Sequence, residues 1–150
     1  LKLYADTSIF SYLFAEHLPQ KQAVTRDFLQ HAQREGDLFV SPLVVKELNA
    51  TPDESLRQRL IRSLDEAGPT LLAHLEAVNH VSLLILDLGI LTERSENDAI
   101  HIAYAIAHGM DALVSWDTRH IVRLKTRRGV SAVCRLLGYR EVELVTPEEL

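Results

Sequence analysis

The stretch Leu1-Lys2-Leu3-Tyr4-Ala5-Asp6-Thr7-Ser8 decides how the rest of this chain is read. Its first five residues are mostly apolar and β-prone, which predicts a short buried strand. Asp6, Thr7 and Ser8 then offer side-chain oxygens suited to capping a helix that continues through Ile9, Phe10, Leu13 and Phe14. An acid directly after a buried strand sits at the mouth of a sheet, where open α/β proteins place their ligands. Three further acids have similar settings. Glu47 lies in Pro42-Leu43-Val44-Val45-Lys46-Glu47-Leu48, Asp98 opens Asp98-Ala99-Ile100-His101-Ile102-Ala103-Tyr104-Ala105, and Asp117 closes Asp111-Ala112-Leu113-Val114-Ser115-Trp116. Four carboxylates converging on one point repel one another unless a hard cation such as magnesium neutralises them. The pattern therefore points to a metal-dependent site.

The remaining elements follow from periodicity and punctuation. A second helix is expected from Pro19 to just before Gly36, with Val24, Phe28 and Leu29 on one face. Asp37 to Val40 reads as a strand, and Ser41-Pro42 opens a helix carrying Val44, Glu47 and Leu48. Thr51-Pro52-Asp53-Glu54 caps another helix through Leu56, Leu60, Ile61 and Leu64, which Gly68-Pro69 ends. Residues 70 to 91 read as an extended start near Leu71 and Leu72, then a helix to Gly89. A helix over Asp98–His108, a buried strand over Ala112–Trp116, helical pieces across 118 to 137 and a last strand over Val142–Val145 complete the chain. Strands alternating with helices predict a three-layer α/β/α sandwich, doubly wound, around a short, mostly parallel sheet. At 150 residues, without linker, repeat or low-complexity stretch, residues 1–150 are expected to form a single domain.

Composition narrows the function classes. The single cysteine, Cys134, excludes an internal disulfide and a cysteine-rich zinc site, and is read as core; a reducing cytoplasm is the expected compartment. No long uncharged apolar run is available to span a bilayer, so no membrane is expected. The first residues, interrupted by Asp6, do not read as a signal peptide. The net charge of −5 conceals an asymmetry. Seven Lys or Arg residues and no acid lie between Arg119 and Arg140, so the rest of the chain carries −12. A basic segment in an acidic protein suggests a local patch for an anionic partner.

These residues resemble the PIN domain family, compact magnesium-dependent ribonucleases whose commonest bacterial members are toxins of type II toxin–antitoxin pairs. The resemblance runs from Tyr4 to Val145. In the family an Asp ends the first strand with Ser or Asn two residues on, as Asp6 and Ser8 do here. A Glu follows the second strand on a helix (Glu47), an Asp opens a helix of the form Asp-Ala-x-x-Ala (Asp98), and an Asp follows a strand ending in Ser or Thr (Asp117 after Ser115). The match departs at the third motif, where, counting from Asp98, His101 stands fourth and Ala103 two further on. Ser115-Trp116-Asp117-Thr118-Arg119-His120-Ile121, with Lys125-Thr126-Arg127-Arg128 and Leu136-Leu137-Gly138-Tyr139, resembles one subgroup of the family.

The resemblance implies cleavage of RNA phosphodiester bonds, with Mg2+, or Mn2+ in its place, as cofactor. Asp6 and Asp98 are the expected direct ligands; Glu47 and Asp117 would act directly or through water. Ser8 and Ser115 would support them by hydrogen bonds. His101, one turn beyond Asp98, reads as a structural histidine. Arg119, Arg123, Lys125, Arg127 and Arg128 are candidates for holding the RNA backbone, or alternatively for docking an acidic antitoxin tail. Phe10, Tyr12 and Phe14 read as core or homodimer surface, with stacking of a base on Tyr12 as the alternative. The rival within enzymes, a phosphatase with Asp-x-Asp after the first strand, lacks its second Asp, which is Ser8 here. The non-enzymatic rival is a degenerate PIN domain serving as a protein- or RNA-binding module.

Overall fold

The computed structural model describes residues 1–150. Five strands, β1 (Leu3–Ala5), β2 (Leu38–Val40), β3 (Thr70–Leu71), β4 (Ala112–Val114) and β5 (Glu143–Val145), form one sheet in the order β3-β2-β1-β4-β5. Every pairing is parallel, so the sheet is wholly rather than mostly parallel. Seven α-helices connect the strands: α1 (Thr7–Tyr12), α2 (Pro19–Glu35), α3 (Pro42–Asn49), α4 (Glu54–Ala67), α5 (Glu76–Asp87), α6 (Glu96–Ala107) and α7 (Leu124–Leu137). The chain steps from β1 to β2 and β3 on one side, then returns to β4 and β5 on the other. Right-handed crossovers consequently place α1–α4 on one face and α5–α7 on the opposite face. The helix contacts agree: α1 meets α2, α3 and α4, while α5 packs on both α6 and α7.

The central strands are buried on both faces, as parallel sheets require. Leu3, Tyr4, Ala5, Leu113 and Val114 are among the most deeply buried residues of a continuous apolar core. Parallel pairing aligns Ala5 with Val114, so the chain leaves β1 and β4 at the same sheet edge. The winding reverses between these two strands. The crevice outside their carboxyl ends is the switch point at which open α/β sheets bind ligands.

Several boundaries differ from the sequence expectation for local reasons. β1 starts at Leu3 and β2 at Leu38, because Leu3 N–H donates to Asp37 O and the ladder begins there. β4 ends at Val114, and the expected last two residues, Ser115 and Trp116, turn into the crevice. α1 stops at Tyr12, before Leu13 and Phe14. α6 opens at Glu96, after a 3-10 turn over Glu93–Ser95, so Asp98 lies inside the first turn rather than capping it. Residues 118 to 123 are turns, and a single helix fills only the remainder of the stretch expected to be helical.

α7 owes its close approach to the segment just beyond α5 to Gly129, which faces Ile90. A Cβ at this position would lie 2.6 Å from Ile90 Cγ1 and 2.8 Å from Cγ2. Alanine would raise helix propensity by about 1 kcal/mol, yet Ile90 is buried and β-branched and cannot rotate aside cheaply. Gly129→Ala should therefore destabilise the protein by about 1–3 kcal/mol through overpacking. The double variant with Ile90→Ala should lose less in urea melts than the sum of the two single losses. Additive losses in the double variant would contradict the contact.

Candidate metal centre

Asp6 joins β1 to α1 and caps the helix. Its Oδ1 accepts from Ser8 N–H (3.0 Å) and Ser8 Oγ (2.5 Å), and its Oδ2 accepts from Ser115 Oγ (2.5 Å). The carboxyl is only 4 % exposed, which makes these donors necessary rather than incidental. The two serines also hold the β4 exit: Trp116 N–H donates to Ser8 Oγ (2.9 Å) and Asp117 N–H to Ser115 Oγ (2.9 Å). Burial pushes the Asp6 pKa up despite His101 nearby and the serine hydrogen bonds, which act in the opposite direction.

Asp98, Asp117 and His120 form a second, more open layer, with one potential ligand atom from each lying within 4.8 Å of the others. Asp117 shapes its own turn: Oδ1 accepts from Arg119 N–H (3.0 Å) and His120 N–H (2.9 Å). This turn folds His120 back, so that its Nδ1 stands 3.1 Å from Asp117 Oδ2 and 3.8 Å from Asp98 Oδ2. The Asp98 carboxyl is pushed up to about 6, first by burial and then by the charge of Asp117, against the opposing pull of His101 and His120. Two mutually repelling carboxylates on fixed backbone, with a third behind them, are an oxygen-rich donor set suited to Mg2+ or Mn2+.

Glu47 reaches the same crevice from α3. Its Oε1 accepts from Thr7 Oγ1 (2.7 Å) and lies 2.6 Å from His101 Nε2. An ionised Glu47 can only accept, so Nε2 carries the proton. In the neutral ring Nδ1 then accepts from the Tyr4 hydroxyl (2.6 Å), which in turn accepts from Ser41 Oγ (2.7 Å). Burial pushes Glu47 up, but the hydrogen bond and charge of His101, with Thr7 and Asn97, outweigh it and hold the carboxyl below its ordinary range. His101 is thus a structural histidine, nearly fully buried, whose structural task is to hold a site carboxylate.

The structure brings all four sequence-predicted acids, with Ser8 and Ser115, to one sheet edge. Asp98 and Asp117 lie in the open layer, while Asp6 and Glu47 have oxygens engaged by neighbours. The basic candidates separate. Arg119 is exposed next to Asp117, and Lys125 and Arg128 are exposed on α7. Arg123 Nε donates to Thr126 Oγ1 (3.3 Å). Arg127 donates to Leu144 O (3.0 Å) and pairs with Glu149 (3.1 Å), which ties it to the C-terminal turn. Sequence reasoning missed His120, Thr7 and Asn97. Only the turn made by Asp117 brings His120 into place, and the spacing of Asp117 and His120 was the one available signal.

The PIN domain family model matches residues 3–125, and the chain belongs to this family. PIN domains are generally nucleases and typically use a divalent metal. Among solved structures, the chain is similar to one described as VapBC2 from Rickettsia felis bound to a DNA fragment from their promoter. The identity is 14 % and the TM-score 0.62, over 97 % of this chain and 98 % of that one. No curated protein matches the chain. No helix is long and apolar enough to cross a membrane.

The raised Asp98 carboxyl has a signed consequence for metal-free protein. The fold binds this proton more tightly than the unfolded chain does. Its stabilisation is complete below the ordinary value of 3.8 and is lost as pH rises through about 6. Asp6 acts in the same direction and Glu47 in the opposite one. With a chelator present, Asp98→Asn should make stability less dependent on pH across this window and raise the neutral-pH melting temperature above wild type. Equal melting profiles for the two proteins would contradict the described packing of Asp98.

Proposed function

We propose that residues 1–150 form a single PIN nuclease domain that hydrolyses RNA phosphodiester bonds with Mg2+, or Mn2+ in its place. The observation that carries this reading is the convergence of Asp98 and Asp117 in the open layer, with Asp6 and Glu47 held beside them. A bound divalent ion would lower the pKa of an attacking water and offset charge on the scissile phosphate. Asp98 and Asp117 are the residues to hold it, and Asp6 presents a further carboxylate whose orientation Ser8 and Ser115 fix. His120 steadies Asp117. Glu47, kept ionised by His101, can accept a proton or orient a water without itself being free to rotate.

The family and the similarity in fold to the VapBC2 structure support the finer proposal that the chain is the toxin of a type II pair, acting in the cytoplasm with an antitoxin as protein partner. A homodimer is part of that proposal. The exposed Arg119, Lys125 and Arg128 would contact RNA phosphates, with Arg123 and Arg127 contributing charge from partnered positions.

Two measurements test the catalytic reading. Millimolar Mg2+ should raise the melting temperature of the wild type by mass action, and Asp98→Asn should lose most of that shift. Glu47→Gln should slow cleavage of single-stranded RNA by about a hundredfold or more while the metal-induced shift survives. Absence of both the shift and the cleavage in the wild type would refute the proposal. For the basic residues, Arg119, Lys125 and Arg128 changed together to Ala should weaken binding to all RNAs alike. The salt slope should flatten by roughly one unit per lost phosphate contact. Unchanged RNA affinity would move the RNA path off this segment.

A further inference from the structure

Tyr12, the last residue of α1, lies against the ring of Trp116, the second residue beyond β4. Their centroids are 5.4 Å apart and their planes 15° from parallel. Trp116 is locked in place. Its Nε1–H donates to Thr25 Oγ1 on α2 (2.8 Å), and its backbone N–H donates to Ser8 Oγ (2.9 Å). The ring is only 4 % exposed. Tyr12 is half-buried on top of it, and its hydroxyl takes no partner within the chain. Lys21 Nζ stands 5.2 Å from the Trp116 ring centre and 6.0 Å from that of Tyr12.

Next to this pair is a pocket of about 350 Å3 lined by Ser8, Tyr12, Trp116, Asp117, Thr118 and Arg119. Asp117 belongs to the acid cluster as well, so the pocket is continuous with the site of the proposed chemistry. The pocket combines aromatic rings, an exposed guanidinium and a nearby ammonium, all next to carboxylates that would hold a metal. Rigid aromatic faces next to cations are the means by which proteins hold unpaired bases and their phosphates. A purely structural role would account for Trp116, whose polar atom is satisfied inside the fold. It leaves unexplained why Tyr12 shares the wall of an open pocket with Arg119.

We infer that Tyr12, backed by Trp116, and Arg119 form a subsite for an unpaired RNA nucleotide next to the scissile phosphate, its base stacked on Tyr12 and its phosphate on Arg119. The inference rests on the ribonuclease reading and adds to it a nucleotide contact outside the acid cluster, one that a base paired and stacked in a duplex has no free face to make.

The chain contains one tryptophan, so its emission reports on this pocket alone. The test titrates metal-free protein, under chelator, with a single-stranded oligouridylate and with a duplex RNA of the same length. Single-stranded RNA should change Trp116 emission saturably, and duplex RNA should bind more weakly. Tyr12→Phe should bind within about twofold of wild type. Tyr12→Leu, which keeps apolar volume over Trp116 and removes the aromatic face, should weaken binding by about five- to a hundredfold. Tyr12→Ala should weaken it at least as much, and the Leu variant guards against a folding defect in the Ala one. Equal affinity of the Phe and Leu variants, or equal affinity of the wild type for duplex and single strand, overturns the subsite. Such a result together with intact Mg2+-dependent cleavage leaves the nuclease reading standing. Loss of both RNA binding and cleavage in the wild type overturns both.

Discussion

A nearly fully buried carboxylate at the end of the central strand organises this molecule. Asp6 has few ways to exist there. Ionised and unpartnered, it would carry a desolvation penalty that a domain of this size could scarcely absorb. It is tolerated because two serines from opposite sides of the crevice direct hydroxyls at its two oxygens, one from α1 and one from the exit of β4. Those same hydroxyls accept from the backbone of Trp116 and Asp117. A single acid thereby fixes the departure of β4, the setting of the tryptophan and the position of the outer carboxylate.

The electrostatic consequence is a graded site. Outer carboxylates are held close together, and burial with the charge of Asp117 drives Asp98 toward its neutral form against the opposing pull of His101 and His120. The inner carboxylate of Glu47 is treated oppositely, kept charged by a histidine whose far nitrogen is anchored through Tyr4 to Ser41. Environments that drive carboxyls of one kind in opposite directions within one crevice are a general mark of assigned chemical roles. The anchoring residues come from β1, the β2 exit and α6, so the state of Glu47 depends on the packing of three elements rather than on its own helix.

Much of this was legible in the chain. The strand–acid junction at Ala5-Asp6, the Ser41-Pro42 helix start and the Ser115-Trp116-Asp117 junction each carry a local signal of strand end or cap. The alternation of elements then forces a parallel sheet. Periodicity and punctuation together made most of the strands and helices legible, because buried parallel strands are short apolar runs flanked by capping residues. What could not be read were relations between segments. Nothing local says that His101 turns toward Glu47, because a histidine on a largely apolar helix has no preferred direction until its neighbours are known. His120 entered the site through a turn that Asp117 makes with backbone N–H groups, which leaves no periodic trace. The basic segment looked uniform in sequence, yet Arg127 points to Leu144 and Glu149 on the C-terminal strand and turn, a partner choice that only tertiary packing sets.

The connectivity of the sheet has a temporal side. The hydrogen bond from Ser115 to Asp6 closes a sequence separation of 109 residues, and β1 cannot acquire its β4 neighbour until that stretch has been made. Asp6 is synthesised before its counterpart and waits for it while the intervening residues are made. Until then the two halves of the acidic crevice are held apart by their place in the sequence. The strand order therefore sets a sequence of assembly: a chain of this topology completes the crevice only when β4 and the residues beyond it have emerged.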